Sequence, residues 1–72
     1  MSVNEVVKEY GADKKYIVHD TYEEAYYELT REGIWFDAFS LNDENFDEDK
    51  AIEIKDFPEE EIIIIVVDTS SR

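Results

Sequence analysis

The chain has no cysteine, which excludes disulfides, cysteine-based zinc sites and thiol chemistry. A single histidine removes most of the remaining transition-metal options. With two glycines there is no glycine-rich phosphate loop. The longest apolar run, residues 62–67, has six residues and is far too short to span a bilayer. The N-terminal stretch MSVNEVVKEYG has no basic start followed by an apolar segment, so no signal peptide is expected. Together these absences predict a soluble protein that stays in the cytoplasm, with no membrane partner and no cofactor.

Positive charge is also scarce. Seven basic residues face twenty acidic ones, giving a formal −13 on 72 residues. High charge combined with low hydrophobicity would mean disorder, but this chain is 43% hydrophobic and 14% aromatic. It has the material for a core, in one domain spanning 1–72. Domains of this size bury little surface and are marginally stable. A folded chain that keeps so much like charge accepts self-repulsion, which calls for a functional reason.

Residues 2–10 read as a short helix. Val3, Val6, Val7 and Tyr10 share one face, Ser2 and Glu5 form a capping box, and Gly11 is the stop. Residues 14–19 read as a strand. Residues 21–32 read as a second helix: Thr21 and Glu24 form a capping box, Tyr22, Ala25, Tyr26 and Leu29 form the apolar stripe, and Gly33 lies just past the end. Strands are expected at 34–41, 51–55 and 61–68, the last central because its IIIIVV run is apolar on both faces. Residues 42–50 read as a polar loop and 56–60 as a tight connection.

The order α-β-α-β-β-β predicts an α+β fold, with a small, mainly antiparallel sheet of about four strands and two short helices packed on one face. The last three strands would form a meander, and the position of the first is left open, a place beside residues 61–68 being one option. Two helices on one face leave the second face of the sheet uncovered. Trp35 and Phe36, the 42–50 loop or a second subunit in a homodimer are the candidates to cover it.

Between Asp43 and Glu61 lie ten acidic residues and two lysines, so the charge is segregated. Glu59, Glu60 and Glu61, with Pro58 before them and Asp68 behind the apolar run, fit gatekeepers against aggregation. DENFDED flanks no long apolar run and is not explained in that way. Asp43, Asn45, Asp47 and Asp49 alternate like the start of a calcium loop, but Glu48 stands where glycine is needed and Ile54 where a bidentate glutamate belongs. Acid–base catalysis needs two carboxyls held in a cleft with separated pKa values. Among twenty carboxylates, chance pairs carry no such signal. His19 belongs to no compelling nucleophile triad and reads as a capping or surface residue. No enzymatic activity is expected.

Carboxylates at i and i+2 on a strand lie about 6.6 Å apart, and those at i and i+4 on a helix about 6 Å apart. Both spacings resemble a phosphate backbone, which basic proteins bind largely by neutralising phosphates. Glu24, Glu28 and Glu32 would form such a row on the second helix, and Asp47 with Asp49 and Glu59 with Glu61 form others. Like charges at i, i+4 cost a few tenths of a kcal/mol per pair, which favours a functional reason for the helix row. Phe46 within the acidic loop suits an aromatic interface anchor, as does Tyr27 on the polar side of the second helix; both are equally suited to covering the sheet.

In size, charge and α+β patterning, the chain resembles the small acidic DNA-mimic inhibitors encoded by bacteriophages and mobile elements. These act on uracil-DNA glycosylase, restriction enzymes, nucleoid proteins and CRISPR effectors. The resemblance implies a basic bacterial DNA-binding protein as partner, no direct contact with nucleic acid, and action in the host cytoplasm. The expected partner-binding residues are Glu24, Glu28, Glu32, Asp43, Glu44, Phe46, Asp47, Glu48, Asp49, Glu53, Glu59, Glu60 and Glu61. The alternatives are a non-mimic inhibitor or immunity protein of a basic enzyme, a halophilic protein, and a small scaffold or subunit whose acidity serves solubility.

Overall fold

A computed structural model describes residues 1–72. The first helix, α1 (Val3–Tyr10), forms as its caps require. Ser2 Oγ accepts the Glu5 N–H, and the Glu5 carboxylate accepts the Ser2 N–H at 2.8 Å, which holds that carboxyl below its ordinary pKa. Gly11 follows at φ 93° and its N–H donates to the Val7 carbonyl, closing the helix.

The rest is a six-stranded mixed sheet formed by β1 (Lys15–Asp20), β2 (Ala25–Leu29), β3 (Trp35–Asp37), β4 (Asn42–Glu44), β5 (Glu53–Phe57) and β6 (Ile62–Val67). Its spatial order is β4-β3-β2-β1-β6-β5. The chain meanders outward through β1, β2, β3 and β4 by antiparallel pairing. It then crosses back to the far edge, enters β5, and returns through β6, which pairs antiparallel to β5 and parallel to β1. Residues 62–67 form an interior strand, as a run apolar on both faces implies, with β1 on one side and β5 on the other.

Strand periodicity divides the sheet into two faces. One carries Tyr16, Val18, Tyr27, Trp35, Ile63, Ile65 and Val67, which form a single core with Val3 and Val6 of α1 and with Phe46. The crossing segment 45–52 shares this layer with the helix. The carbonyls of Asp49 and Asp47 accept the Val3 and Asn4 N–H groups, satisfying two donors that a helix start otherwise leaves unpaired. Asp20 is buried at the end of β1 and accepts from the Thr69 N–H and hydroxyl, tying down a short 3-10 helix (Thr69–Ser71).

The architecture corrects the expected fold in four respects. There is one helix and not two, because residues 21–24 form a turn and Ala25–Leu29 is a strand. Glu24 ends that turn in the left-handed region at φ 53°, which a continuing helix does not allow. The Thr21 hydroxyl donates to the Val67 carbonyl and caps no helix. The stripe Ala25, Leu29 fits a strand as well as a helix, and the pairing Val18↔Tyr27 decides for the strand.

The sheet therefore has six strands and not about four, with parallel pairing at its centre. The last three expected strands form no meander, since Trp35–Asp37 pairs with β2 and β4 while β5 pairs only with β6. Finally, the 42–50 loop contributes the edge strand β4 and places Phe46 fully inside the core. No helix is long and apolar enough to cross a membrane.

Candidate functional site: two acidic edges

The topology splits the acidic tract. Asp43 and Glu44 lie on β4, one edge of the sheet, whereas Glu53 lies on β5 and Glu59, Glu60 and Glu61 lie in the turn from β5 to β6, at the other. Five inter-strand steps separate the two edge strands, about 24 Å at ~4.8 Å per step. Asp47, Glu48 and Asp49 lie between them on the segment that crosses the helix-bearing face.

Three of these carboxylates are used by the fold itself. Asp47 accepts the Trp35 indole N–H at 3.4 Å. Asp49 and Glu44 are bridged by Arg72, at 2.6 and 3.1 Å, which holds the guanidinium firmly in its charged form. Asp43, Glu48, Glu53, Asp56, Glu59, Glu60 and Glu61 are exposed and make no side-chain hydrogen bond or ion pair.

At the β4 edge, Asp43, Glu44 and Asp47 converge on a recess of about 450 Å³ that also has Trp35, Ile34 and Gly33 in its wall. Trp35 is buried and Glu44 and Asp47 are engaged by Arg72 and the indole N–H, so Asp43 is the one carboxylate of this recess with no partner. Asn45 is also in the wall, but its side-chain Oδ1 accepts the Asp47 N–H and so shapes the loop.

The expected row Glu24, Glu28, Glu32 does not exist. Glu24 sits in the first turn with its Oε2 3.5 Å from His19 Nε2, and Glu28 is on β2 with its Oε1 3.7 Å from Lys15 Nζ. Glu32 lies in the turn at the opposite end of β2. On a strand, i and i+4 stand about 13 Å apart, so the phosphate-like spacing assigned to a helix is lost. Nor are Glu59 and Glu61 a strand pair, since both lie in a turn and Glu61 closes it at φ 58°.

Phe46 and Tyr27, considered as interface anchors, are core residues with ring centroids 4.8 Å apart. Other aromatic side chains are the ones left in the open. Tyr22, Tyr26, Phe39 and Phe57 are exposed, Phe39 completely. His19 stacks on Tyr26 with centroids 4.4 Å apart and planes 12° from parallel. The signal for these residues was the IIIIVV run, apolar on both faces, which implied a second surface for β1 and β2 as well.

Comparison with protein-family models, with curated proteins and with solved structures finds no match to this chain.

Proposed function

We propose that the chain is an acidic binding protein that occupies the nucleic-acid site of a basic DNA-binding protein and blocks its use, by presenting DNA-like charge. The observation that carries this proposal is charge density. A formal −13 along a longest dimension of 29 Å is about one charge per 2.2 Å, close to the one per ≈ 1.7 Å of duplex DNA. The tract carboxylates that stay free are held on strands and short turns, so the field is preorganised and costs little ordering on binding.

In this proposal the acidic tract alone, on the sheet edges and the β5–β6 turn, carries the binding role. Asp43, Glu48, Glu53, Asp56, Glu59, Glu60 and Glu61 are the groups a cationic partner would meet. Glu44, Asp47 and Asp49 hold the scaffold and contribute field but no free ligand oxygens of first rank.

The test is capture from a bacterial lysate at low salt, with elution first by a salt gradient and then by duplex DNA. A basic DNA-binding protein released by duplex is the expected result. The control carries Glu48→Lys, Asp56→Lys and Glu60→Lys, three exposed positions that no hydrogen bond or ion pair of the fold uses. If this folded control captures the same protein equally well, the tract is not the binding site. Release by salt but never by duplex would favour a non-mimic inhibitor.

A further inference from the structure

Every covering element lies on one side of the sheet. Helix α1, segment 45–52 with Phe46, the C-terminal 3-10 helix and Trp35 all join the helix-bearing face. The opposite face carries no helix or crossing segment, and its residues are half-buried or exposed apart from Val66, which is buried. Alternation along the strands puts Ile17, Tyr26, Phe36, Ile62, Ile64 and Val66 there. Tyr26 is 57% exposed and Phe57, beside Ile62, 41%. Only 12 of 72 residues are buried in the isolated chain, and domains this small commonly need oligomerisation or another staple. An apolar face of this kind marks an interaction surface.

Charge indicates what covers it. One registered row of paired residues crosses all six strands: Lys55, Ile64, Ile17, Glu28, Phe36 and Asp43. The row is cationic at the β5 edge, anionic at the β4 edge and apolar at Ile64, Ile17 and Phe36, with Glu28 near its centre held 3.7 Å from Lys15 of the same face. A two-fold axis parallel to the strands, lying between β1 and β2, exchanges the two edges. It sets Lys55 opposite Asp43 of the partner subunit and Ile64 opposite Phe36 of the partner subunit. The same operation brings the stacked His19 and Tyr26 onto the partner subunit's Tyr26 and His19 in a neighbouring row.

The two lysines, Lys15 and Lys55, nearly balance Glu28, Glu53 and Asp43 on this face, in a molecule carrying −13. It is thus the surface on which a second equally acidic copy approaches with least repulsion. A cationic partner finds its acid at the edges instead.

The size also fits. Six strands at ~4.8 Å spacing and up to six residues at ~3.3 Å rise give a face of about 24 by 20 Å. Side-chain relief and the turn tips add to that footprint, toward the ~800 Å² per partner of a standard interface.

We infer that this chain forms a two-fold homodimer by packing the open sheet faces against each other, about 10 Å apart, with Lys55 paired to Asp43 across both ends. The dimer occupies Asp43 but leaves Glu48, Asp56, Glu59, Glu60 and Glu61 exposed for a cationic partner. It therefore goes beyond the proposed function and does not depend on it.

The experiment is sedimentation equilibrium of the full chain over a concentration series, at low and at high sodium chloride. The expected mass is twice the 8.5 kDa of the chain. Salt should tighten the dimer, because it screens repulsion between two bodies of like charge, whereas binding to a basic partner weakens with salt. A failure of one proposal is thereby distinct from a failure of the other.

Tyr26→Lys, at an exposed position that leaves the core intact, should weaken the dimer at least about tenfold. Lys55→Asp should weaken it about fivefold, and adding Asp43→Lys to it should restore it to within about twofold. A chain that stays monomeric up to about millimolar concentration in both salts overturns the inference. So does a dimer unaffected by Tyr26→Lys and Lys55→Asp, and failure of the charge swap to restore association overturns the pairing. If the monomer instead loses binding to a basic protein on Tyr26→Lys, the face belongs to that protein.

Discussion

The guanidinium of Arg72 lies 5.3 Å from the centroid of the Phe46 ring while its nitrogens bond Asp49 and Glu44. The last residue of the chain thus seals the aromatic plug of the crossing segment and neutralises two carboxylates of the acidic tract. Arg72→Ala should lower stability by about 1 kcal/mol, since the pair is half-exposed and its charges partly screened. Urea unfolding measures this. The same variant frees two carboxylates at the acidic surface, so binding to a basic partner should be kept or strengthened while stability falls.

Tyr22 and Tyr27 separate the helical and strand forms of residues 21–32. On a helix Tyr22 would face the core and Tyr27 would face solvent, but in the sheet Tyr27 is 5% exposed and Tyr22 64%. Tyr27→Ala should cost about 3 kcal/mol or more, and Tyr22→Ala less than about 0.5 kcal/mol. The two urea midpoints decide between the forms.

Much of the fold was legible in the residues. Ser2, Glu5 and Gly11 specify α1 by local chemistry alone, and the isoleucine run specifies an interior strand. The second helix misled because Asp20 and Thr21 start a hairpin turn with the residue types that start a helix. Asp20 Oδ1 even accepts the Tyr22 N–H, as an N-cap would. Only the left-handed Glu24 and the partner strands, which are non-local, turn the chain into β2. The acidic composition of the candidate site was plain, but its division between two edges follows from the crossing of residues 45–52, which no local pattern encodes. Phe46 was hidden for the same reason, as an apolar residue among acids whose core partners are distant in sequence.

Three four-residue turns, 21–24, 38–41 and 58–61, end on a left-handed residue that is not glycine: Glu24, Leu41 and Glu61. Leu41 is at φ 57° and mostly exposed, so its side chain contributes little to the core. Leu41→Gly should raise stability by up to about 1 kcal/mol, the relief of left-handed strain less the added chain entropy. Gly33→Ala, at φ 84° in open space, should lower it by a similar amount. Thermal or urea unfolding of both variants checks the opposite signs.

Three carboxyls are held below their ordinary pKa by hydrogen bonds: Glu5 by Ser2, Asp37 by Ser40 and the Phe39 N–H, and Asp68 by Ser70. Because their folded pKa values are depressed, their stabilisation is fully present above the ordinary carboxylate range and is lost as pH falls through the folded values. The stability gap between wild type and Asp37→Ala should therefore be full above the ordinary carboxylate range and shrink as the pH falls below it. A gap that widens on acidification would contradict the assigned role of Asp37.

The most direct measurement of the central claim is an amide chemical-shift footprint of the isotope-labelled chain as the captured basic protein is added. Signals of Glu48, Asp56 and Glu59–Glu61 should shift or broaden, those of Ile17, Tyr26 and Ile64 should stay in place, and excess duplex DNA should reverse the changes. A footprint centred on the open sheet face, or one that duplex DNA leaves intact, would contradict it.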